Sequence, residues 1–246
     1  MSQTTEYFYD SFPTHNQTTK TITTNSDGTT TRVETKYAAD LVSFTGYSVS
    51  QRAAYERLRS TSLYRIATPI EVTTYEDAKK LSTQRTLFED WGNDLILPEL
   101  VQTAKGSDGL EDRLEYTQYD SRGNILEVRQ SNGSYMTYLW GYDQMYPIAK
   151  IDNARLSQVA STLGVSTGTI INQGIVNPTT VNTLRGALTG ALITTYTHKP
   201  LVGVATTTDP SGYTMSYEYD AFNRLKRVRD GDGHILSENT YHYKNQ

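Results

Sequence analysis

The sequence has no cysteine, which excludes disulfides, thiolate metal sites and cysteine nucleophiles. No apolar run approaches the ~18 residues needed to span a bilayer, so we expect no membrane-spanning segment. The first ten residues, MSQTTEYFYD, lack the basic and apolar regions of a signal peptide. We therefore expect either a protein that stays inside the cell or a piece of a longer chain.

A positive charge excess is also missing. The chain has 23 basic and 27 acidic side chains and a net charge of -4. Such a chain has no global field that attracts nucleic acid or an anionic membrane. The GxSxG, P-loop and GxGxxG patterns are absent as well, so we expect a protein without catalysis and without a cofactor.

The aromatic content consists mostly of tyrosine, with 19 Tyr against 5 Phe and 2 Trp, and only 36% of residues are hydrophobic. Tyrosine has an apolar ring and a polar tip, and with the abundant threonine it favours extended strands that are partly wet on both faces. This composition is typical of a broad β-surface.

An internal repeat is the strongest signal. Residues 119–133 (YDSRGNILEVRQSNG) align without a gap on residues 219–233 (YDAFNRLKRVRDGDG). Each copy begins with Tyr-Asp and ends with Asn-Gly or Asp-Gly, a dipeptide that favours tight two-residue hairpin turns. We expect antiparallel hairpins with these repeated turn residues: Asp120, Gly133, Asp220 and Gly233.

Further strands are predicted between residues 63 and 103, separated by polar or glycine-containing breaks. Residues 50–60 (SQRAAYERLRS) have the pattern of one short helix. Elsewhere the strand and turn signals leave little room, and we expect helix to be confined mainly to residues 153–191.

That helical insertion has two segments. Leu156, Val159 and Leu163 have helical spacing after an Asp152-Asn153 cap. The same spacing recurs after a cap at Asn177-Pro178, in the apolar residues Val181, Leu184 and Leu188.

These residues resemble the YD-repeat, or Rhs, family of bacterial proteins, whose units follow YxYDxxGRL…V…DGx…YxY. The resemblance is closest at 217–243 (YEYDAFNRLKRVRDGDGHILSENTYHY) and also covers 116–140. It implies a strip of antiparallel hairpins that spirals into a shell at the cell surface or in a secreted complex. Family members enclose toxins or act in adhesion, and the repeats are not enzymes. The family's DPxG junction is not found near the chain end, since Asp209-Pro210-Ser211-Gly212 lies inside a repeat, so we expect no toxin here.

The expected organisation has four parts. Residues 1–115 form a β-region with weak repeats, 116–152 a YD-repeat hairpin unit, 153–191 the helical insertion and 192–246 further YD-repeat hairpins.

The repeated aspartates, the Asp-Gly run and the histidines could each have a catalytic or metal-binding role or a structural one. A catalytic role of Asp120 or Asp220 is less simple than a turn whose carboxylate accepts backbone N–H groups, so replacing either should lower stability without abolishing any chemistry. The Asp230-Gly231-Asp232-Gly233 run lacks the further ligands of an EF-hand loop. The histidines lack paired metal spacing and are expected on the surface or in strands: His15, His198, His234 and His242.

Residues 156–173 (LSQVASTLGVSTGTIINQ) are similar to a helix-turn-helix. Its second helix would need Arg, Lys, Asn or Gln toward DNA, yet residues 167–173 contain no basic side chain. A packing insertion is therefore favoured over DNA binding.

Trp91, Trp140 and Tyr142 could form an aromatic platform for sugars, although strands with alternating aromatic residues usually pack them against the sheet. The leading hypothesis is thus a structural scaffold segment outside the cytoplasm. Its partners would be neighbouring β-repeats, and a carbohydrate-binding or surface-binding adhesin module is the alternative. Strand edges near Tyr7–Tyr9 and Tyr241–Tyr243 should either self-associate or fray.

Overall fold

The computed structural model describes residues 2–43, 46–175 and 178–242. Contacts divide the chain into two compact units, Met1–Thr117 (unit 1) and Gln118–Gln246 (unit 2). Both are mainly antiparallel β with short helices, which confirms the predicted fold class. The four-part division stays a prediction.

The strands of unit 1 follow one another in chain order, each antiparallel to the next. They are β1 (Thr4–Phe8), β2 (Lys20–Thr24), β3 (Thr30–Tyr37), β4 (Pro69–Glu76), β5 (Lys79–Asp90), β6 (Ile96–Lys105) and β7 (Glu111–Tyr119), whose last two residues belong to unit 2. A 3₁₀ helix (Ala38–Ser43) and α1 (Val49–Arg59) lie between β3 and β4. The strands predicted between residues 63 and 103 correspond to β4, β5 and β6.

The strands of unit 2 also follow one another in chain order, each antiparallel to the next. Its strands are β8 (Ile125–Gln130), β9 (Tyr135–Gly141), β10 (Tyr146–Asp152), β11 (Leu192–Lys199), β12 (Gly203–Thr208), β13 (Thr214–Tyr219), β14 (Leu225–Arg229) and β15 (Ile235–Glu238). The insertion between β10 and β11 contains α2 (Leu156–Leu163), α3 (Thr167–Gln173), a 3₁₀ helix (Pro178–Thr183) and α4 (Leu184–Ala187). No helix among the described residues is long and apolar enough to cross a membrane.

Helix α1 begins at a capping box. The Ser48 hydroxyl accepts from the Gln51 N–H at 3.1 Å, and the Gln51 side chain accepts from the Ser48 N–H at 3.0 Å. The helix buries Ala54, Tyr55 and Leu58 against strands that include β5 and β6. The short helix predicted at 50–60 is present, and it is longer than any α-helix of the insertion. Among the described residues helix nevertheless lies mainly within 153–191, as expected, since α2, α3 and α4 together contain more residues than α1. The helix at 50–60 forms because an apolar stripe three to four residues apart in a polar segment is enough to form a packed helix.

Each unit has its hydrophobic core where a helix covers strands. In unit 1 the core joins α1 to β4, β5 and β6. In unit 2 it joins the insertion to β8–β11 through fully buried side chains that include Leu139, Ile151, Val159 and Leu184. The helix pair that resembled a helix-turn-helix belongs to this core, since Val159 of α2 and Ile170 of α3 are both fully buried.

Several strands have no buried side chain. Among the described residues this holds for 16–36 and for 203–242, which include β2 and β12–β15. All four residues of β15 are exposed. These hairpins therefore lack the packed face that normally stabilises a sheet.

Candidate functional site

The repeated aspartate is the centre of a hairpin turn. Asp120 donates its N–H to the Asn124 carbonyl (2.9 Å), and its own carbonyl accepts from Gly123 N–H (3.0 Å). Its Oδ1 accepts from the N–H groups of Arg122 (2.9 Å) and Asn124 (2.8 Å). The carboxylate thus supplies acceptors to backbone donors that the turn leaves unpaired.

Asp220 forms the same turn one hundred residues later. It accepts at Oδ1 from Phe222 N–H (2.8 Å) and Arg224 N–H (3.0 Å), and Asn223 takes the position of Gly123 with φ 61°. Arg224 binds the second oxygen of Asp220, and its hydrogen bonds lower the pKa of this carboxyl. The pattern of main-chain bonds recurs at Asp209 and Asp230, so it is the common unit of the hairpins.

The turn type differs from the one predicted. At Gly133 and Gly233 the glycine N–H closes a turn to the carbonyl three residues earlier, and only the glycine has positive φ (84° and 87°). Asn132 and Asp232 are not among the residues with positive φ. The expectation of two-residue turns is therefore wrong: these are three-residue loops with a glycine bulge, which also match the twist of antiparallel strands.

The tyrosine before the repeated aspartate also has a structural role. Tyr219 reaches across to β12 and donates its hydroxyl to the Val204 carbonyl at 2.9 Å. A Cβ on Gly203 would lie 2.3 Å from the Tyr219 hydroxyl oxygen. The absence of a side chain at Gly203 is what lets the tyrosine pack there.

We expect Gly203→Ala to destabilise unit 2 by about 1–3 kcal/mol, because the tyrosine must move and release its hydrogen bond. Gly186→Ala in α4 is the control, since a Cβ there has nothing within 4 Å. Urea denaturation compares the two. Equal stability of both variants would show that the tyrosine adapts without loss.

The two aspartates differ in their surroundings. Asp120 is only 2% exposed, and its Oδ2 accepts from the side chains of Asn124 (2.9 Å) and Gln144 (3.0 Å). Gln144 also donates to the Ile171 carbonyl of α3 (2.9 Å), and that carbonyl accepts from Ser121 N–H (2.9 Å). The Asp120 turn is therefore an anchor for the helical insertion, whereas Asp220 is partly exposed and is paired with Arg224.

A strand carboxylate caps the insertion. Glu127 of β8 is 5% exposed and accepts from the N–H of Leu156, the first residue of α2, at 2.6 Å. The helix N-cap is Arg155, so the cap predicted at Asp152-Asn153 is wrong. A carboxylate from a neighbouring strand satisfies the orphan N–H and interacts favourably with the helix dipole.

The far end of the insertion is held by Arg185 of α4, which donates to the carbonyls of Thr208 (3.0 Å) and Asp209 (2.6 Å). The predicted helix around Val181–Leu188 is a 3₁₀ helix followed by the single turn of α4. The predicted cap residue Asn177 lies outside the described residues.

The predicted aromatic platform is divided between the units. Trp91 belongs to unit 1, and Trp140 and Tyr142 belong to unit 2; all three are half-buried. Trp140 donates its indole N–H to the Ile125 carbonyl (2.9 Å) and packs with Tyr142 against the core. Sugar binding by these rings stays a prediction.

Tyr142 belongs to an aromatic group that the sequence did not indicate. Its hydroxyl accepts from His198 N–H (3.0 Å), and the Tyr146 hydroxyl accepts from Leu201 N–H (3.0 Å). The rings of Tyr146 and His198 stack at 4.9 Å. Tyr142 in the β9–β10 turn and Tyr146 at the start of β10 thus hold the β11–β12 hairpin, and burial lowers the pKa of His198.

The histidines differ from their expected placement in one case. His15 lies in the connection between β1 and β2 and is only 5% exposed, so the expectation of a surface or strand position is wrong for it. Its Nδ1 accepts from Gln17 N–H (3.1 Å), which leaves Nε2 to donate to Asp40 (3.0 Å). A buried histidine needs both nitrogens paired, and Gln17 and Asp40 supply the two partners.

Asp230, Asp232 and His234 each offer a ligand atom within 4.8 Å of the others. The side chains of Asp230 and His234 already have partners within the turn. Asp230 Oδ1 accepts from the N–H groups of Asp232 and His234, and Asp230 Oδ2 lies 3.2 Å from His234 Nδ1. The arrangement is explained by the hairpin turn and supplies no evidence of a metal.

Glu71 joins three strands in unit 1. It is 8% exposed and accepts from Lys36 Nζ (2.9 Å) and Arg85 Nε (2.8 Å). Burial raises the pKa of Glu71, but the hydrogen bonds from the two cations outweigh burial and hold it below its ordinary value of 4.5.

Since the folded pKa of Glu71 is lowered, its contribution to stability is complete above pH 4.5 and is lost as the pH falls through the folded value. We expect unit 1 to lose stability below that pH, and Glu71→Gln to weaken this dependence while lowering stability at pH 7. Denaturation curves at several pH values measure both. Glu6→Gln, on an exposed strand, is the control, and an unchanged pH profile in Glu71→Gln would contradict the assignment.

A match to the RHS Repeat family covers residues 202–235. The chain carries an RHS repeat. The matched RHS residues begin beside β12 and include the turns of Asp209, Asp220 and Asp230, so the family pattern coincides with three successive hairpins. The predicted resemblance to the YD-repeat, or Rhs, family is confirmed.

No curated protein sequence matches the chain. Among solved structures it is similar to the crystal structure of TcdB2-TccC3, with 8% identity and a TM-score of 0.40 over 87% of this chain and 10% of that one. It is also similar to the TcdB2-TccC3-Cdc42 structure (9% identity, TM-score 0.40, 87% and 9%). A third similar structure is the Photorhabdus luminescens Tc holotoxin pore (10% identity, TM-score 0.38, 92% and 12%). The chain spans about a tenth of the length of these proteins.

Proposed function

We propose that this chain is a structural segment of a larger RHS-repeat assembly, in which its outer hairpins pair with further repeats. The observation that carries the proposal is the absence of any buried side chain in the described residues 203–242, although they form four paired strands. A sheet of this kind gains stability when neighbours cover it or extend it.

The edge strand β15 supports the same proposal. It pairs with β14 through only a few residues, and no strand among the described residues pairs with its outer edge. Ile235 and Leu236 on this strand are 46% and 53% exposed, and large apolar side chains are also exposed nearby at Tyr213, Phe222 and Tyr241. An open edge with apolar side chains is suited to strand addition by another hairpin.

The proposed scaffold carries out no catalysis. The carboxylates that repeat along the hairpins accept hydrogen bonds from the backbone of their own turns. Their electron pairs are therefore engaged in turn formation, which supports a structural role over acid–base chemistry.

We further propose that the assembly acts outside the cytoplasm and in association with a toxin or a surface, as the family resemblance implies. Cell fractionation of the native host, with an antibody against the chain, tests the compartment. Recovery of the protein only from the cytosol would contradict this proposed location. The scaffold role is tested separately, by strand pairing at β15.

The pairing test uses the open edge. We expect the chain to self-associate as its concentration rises, and the double variant Ile235→Lys, Leu236→Lys to remain monomeric because charges on an edge strand oppose strand addition. Light scattering measures mass, and hydrogen exchange shows whether the amides of β15 become protected. Leu201→Lys is the control, since Leu201 is 95% exposed in the turn between β11 and β12. A chain that stays monomeric with a protected β15 would overturn the proposal.

A further inference from the structure

Unit 1 has a cleft that no repeat hairpin forms. Its volume is about 710 Å³, within the range of roughly 300–1,000 Å³ usual for small-molecule sites. The walls come from the connection between β1 and β2, from β2 and β3, from the 3₁₀ helix Ala38–Ser43 and from the end of α1. The β1–β2 connection is much longer than the turns of the repeat hairpins, and long ordered loops frequently carry binding residues.

Hydrogen bonds to Asp40 of the 3₁₀ helix hold the β1–β2 connection in place. The buried His15 donates to Asp40 Oδ1, and the Ser11 hydroxyl donates to the same oxygen at 2.7 Å. Asp40 Oδ2 accepts from Tyr37 N–H at 2.9 Å, and the His15 ring packs edge-on against the Tyr37 ring at 5.3 Å. The cleft is therefore formed before any ligand arrives, which reduces the entropy lost on binding.

The charges that line the cleft balance. Three basic side chains (Lys20, Lys36 and Arg59) face three acidic ones (Asp10, Glu34 and Asp40). The cations are already paired, Lys20 with Asp10 at 3.2 Å, Lys36 with Glu71 at 2.9 Å and Arg59 with Glu56 at 2.6 Å. An anionic ligand would have to compete with these carboxylates, so the lining does not favour a phosphate or sulfate.

Such a lining suits a neutral ligand rich in hydroxyl groups. A hydroxyl donates one hydrogen bond and accepts two, so it can bind beside a paired ammonium and carboxylate, accepting from the one and donating to the other without separating them. The threonines of the cleft, Thr14, Thr19 and Thr35, add further hydroxyl partners.

The cleft also has one exposed aromatic ring. Phe12 is 71% exposed, whereas the three rings predicted as a sugar platform are half-buried. The negative face of an aromatic ring attracts the polarised C–H groups of a pyranose, and this contact commonly accompanies hydroxyl binding.

We propose that this cleft binds a neutral oligosaccharide, with Phe12 as the stacking surface and the paired Lys20 and Asp10 as hydroxyl ligands. The site is separate from the repeat hairpins and goes beyond the scaffold role. A failure of strand pairing at β15 would not contradict sugar binding in this cleft, and a failure of sugar binding would not contradict the scaffold proposal.

The test uses the full chain against an array of neutral oligosaccharides built from glucose, galactose, mannose and N-acetylhexosamines, with heparin as the anionic probe. The sugar that binds is then titrated by calorimetry. We expect Phe12→Ala to weaken binding about tenfold, because an aromatic contact of this kind contributes on the order of one decade in affinity. Phe222→Ala is the matched control, since Phe222 is 72% exposed but lies in unit 2.

Both substitutions are at exposed positions, so circular dichroism should confirm that the variants fold. Asp10→Asn provides a second readout and should weaken binding without changing the fold, since Asp10 is exposed. The proposal is overturned if no neutral sugar binds, if only heparin binds and high salt abolishes it, or if Phe12→Ala and Phe222→Ala bind alike.

Discussion

Asp120→Ala is expected to lower the free energy of unfolding of unit 2 by about 3 kcal/mol, as is usual when one partner of a buried charged network is removed. The substitution leaves the N–H groups of Arg122 and Asn124 without the Asp120 carboxylate as acceptor, and it removes one of the two acceptors of the Gln144 side chain. Because Gln144 also binds α3, the insertion should loosen as well.

Asp220→Ala is the matched comparison and should cost clearly less, because its turn is partly exposed and water can replace the carboxylate. Urea denaturation in a Trp91→Phe background isolates the fluorescence of Trp140, the remaining tryptophan, which lies in unit 2. Equal losses in the two variants would show that the anchor adds nothing to the local turn. A hydrolytic activity that disappeared with either variant would contradict the turn function itself.

Leu184→Ala should lower the free energy of unfolding of unit 2 by about 3 kcal/mol. Leu184 lies in α4, is 0% exposed and belongs to the core shared by the insertion and β8–β11. Removing it leaves a cavity that a rigid sheet cannot fill. The insertion is thereby predicted to be part of the stable structure of unit 2.

Leu236→Ala is the control for this truncation, because Leu236 is 53% exposed on β15 and should change stability by no more than about 0.5 kcal/mol. Denaturation and hydrogen exchange of β9 and β10 measure both. If Leu184→Ala behaved like Leu236→Ala, the insertion would be a loosely attached element and the core of unit 2 would lie in the sheet alone.

The sequence predicted the hairpins because their determinants are local. The Asp120 and Asp220 turns depend on donors within four residues, so the same short pattern produces the same turn in both places. The repeated glycine after Asn132 or Asp232 likewise marks a hairpin. The dipeptide alone does not determine whether the loop has two residues or three.

The remaining features of the site are non-local. The sequence around His15 contains no sign of Asp40, which meets it only after β2 and β3 have brought the 3₁₀ helix back to the β1–β2 connection. In the same way, the carboxylate that caps α2 belongs to Glu127 of β8, which is distant in sequence. The residues adjacent to the helix pointed instead to Asp152-Asn153.

The sequence alone determined the antiparallel hairpins, the insertion and the family, because alternation, turn chemistry and repetition act over a few residues. Tertiary structure decided which of two identical aspartates is buried. Asp120 and Asp220 have the same local bonds, but only Asp120 meets Gln144 and, through it, α3. Burial depends on what folds over a turn, and that information lies in side chains distant along the chain.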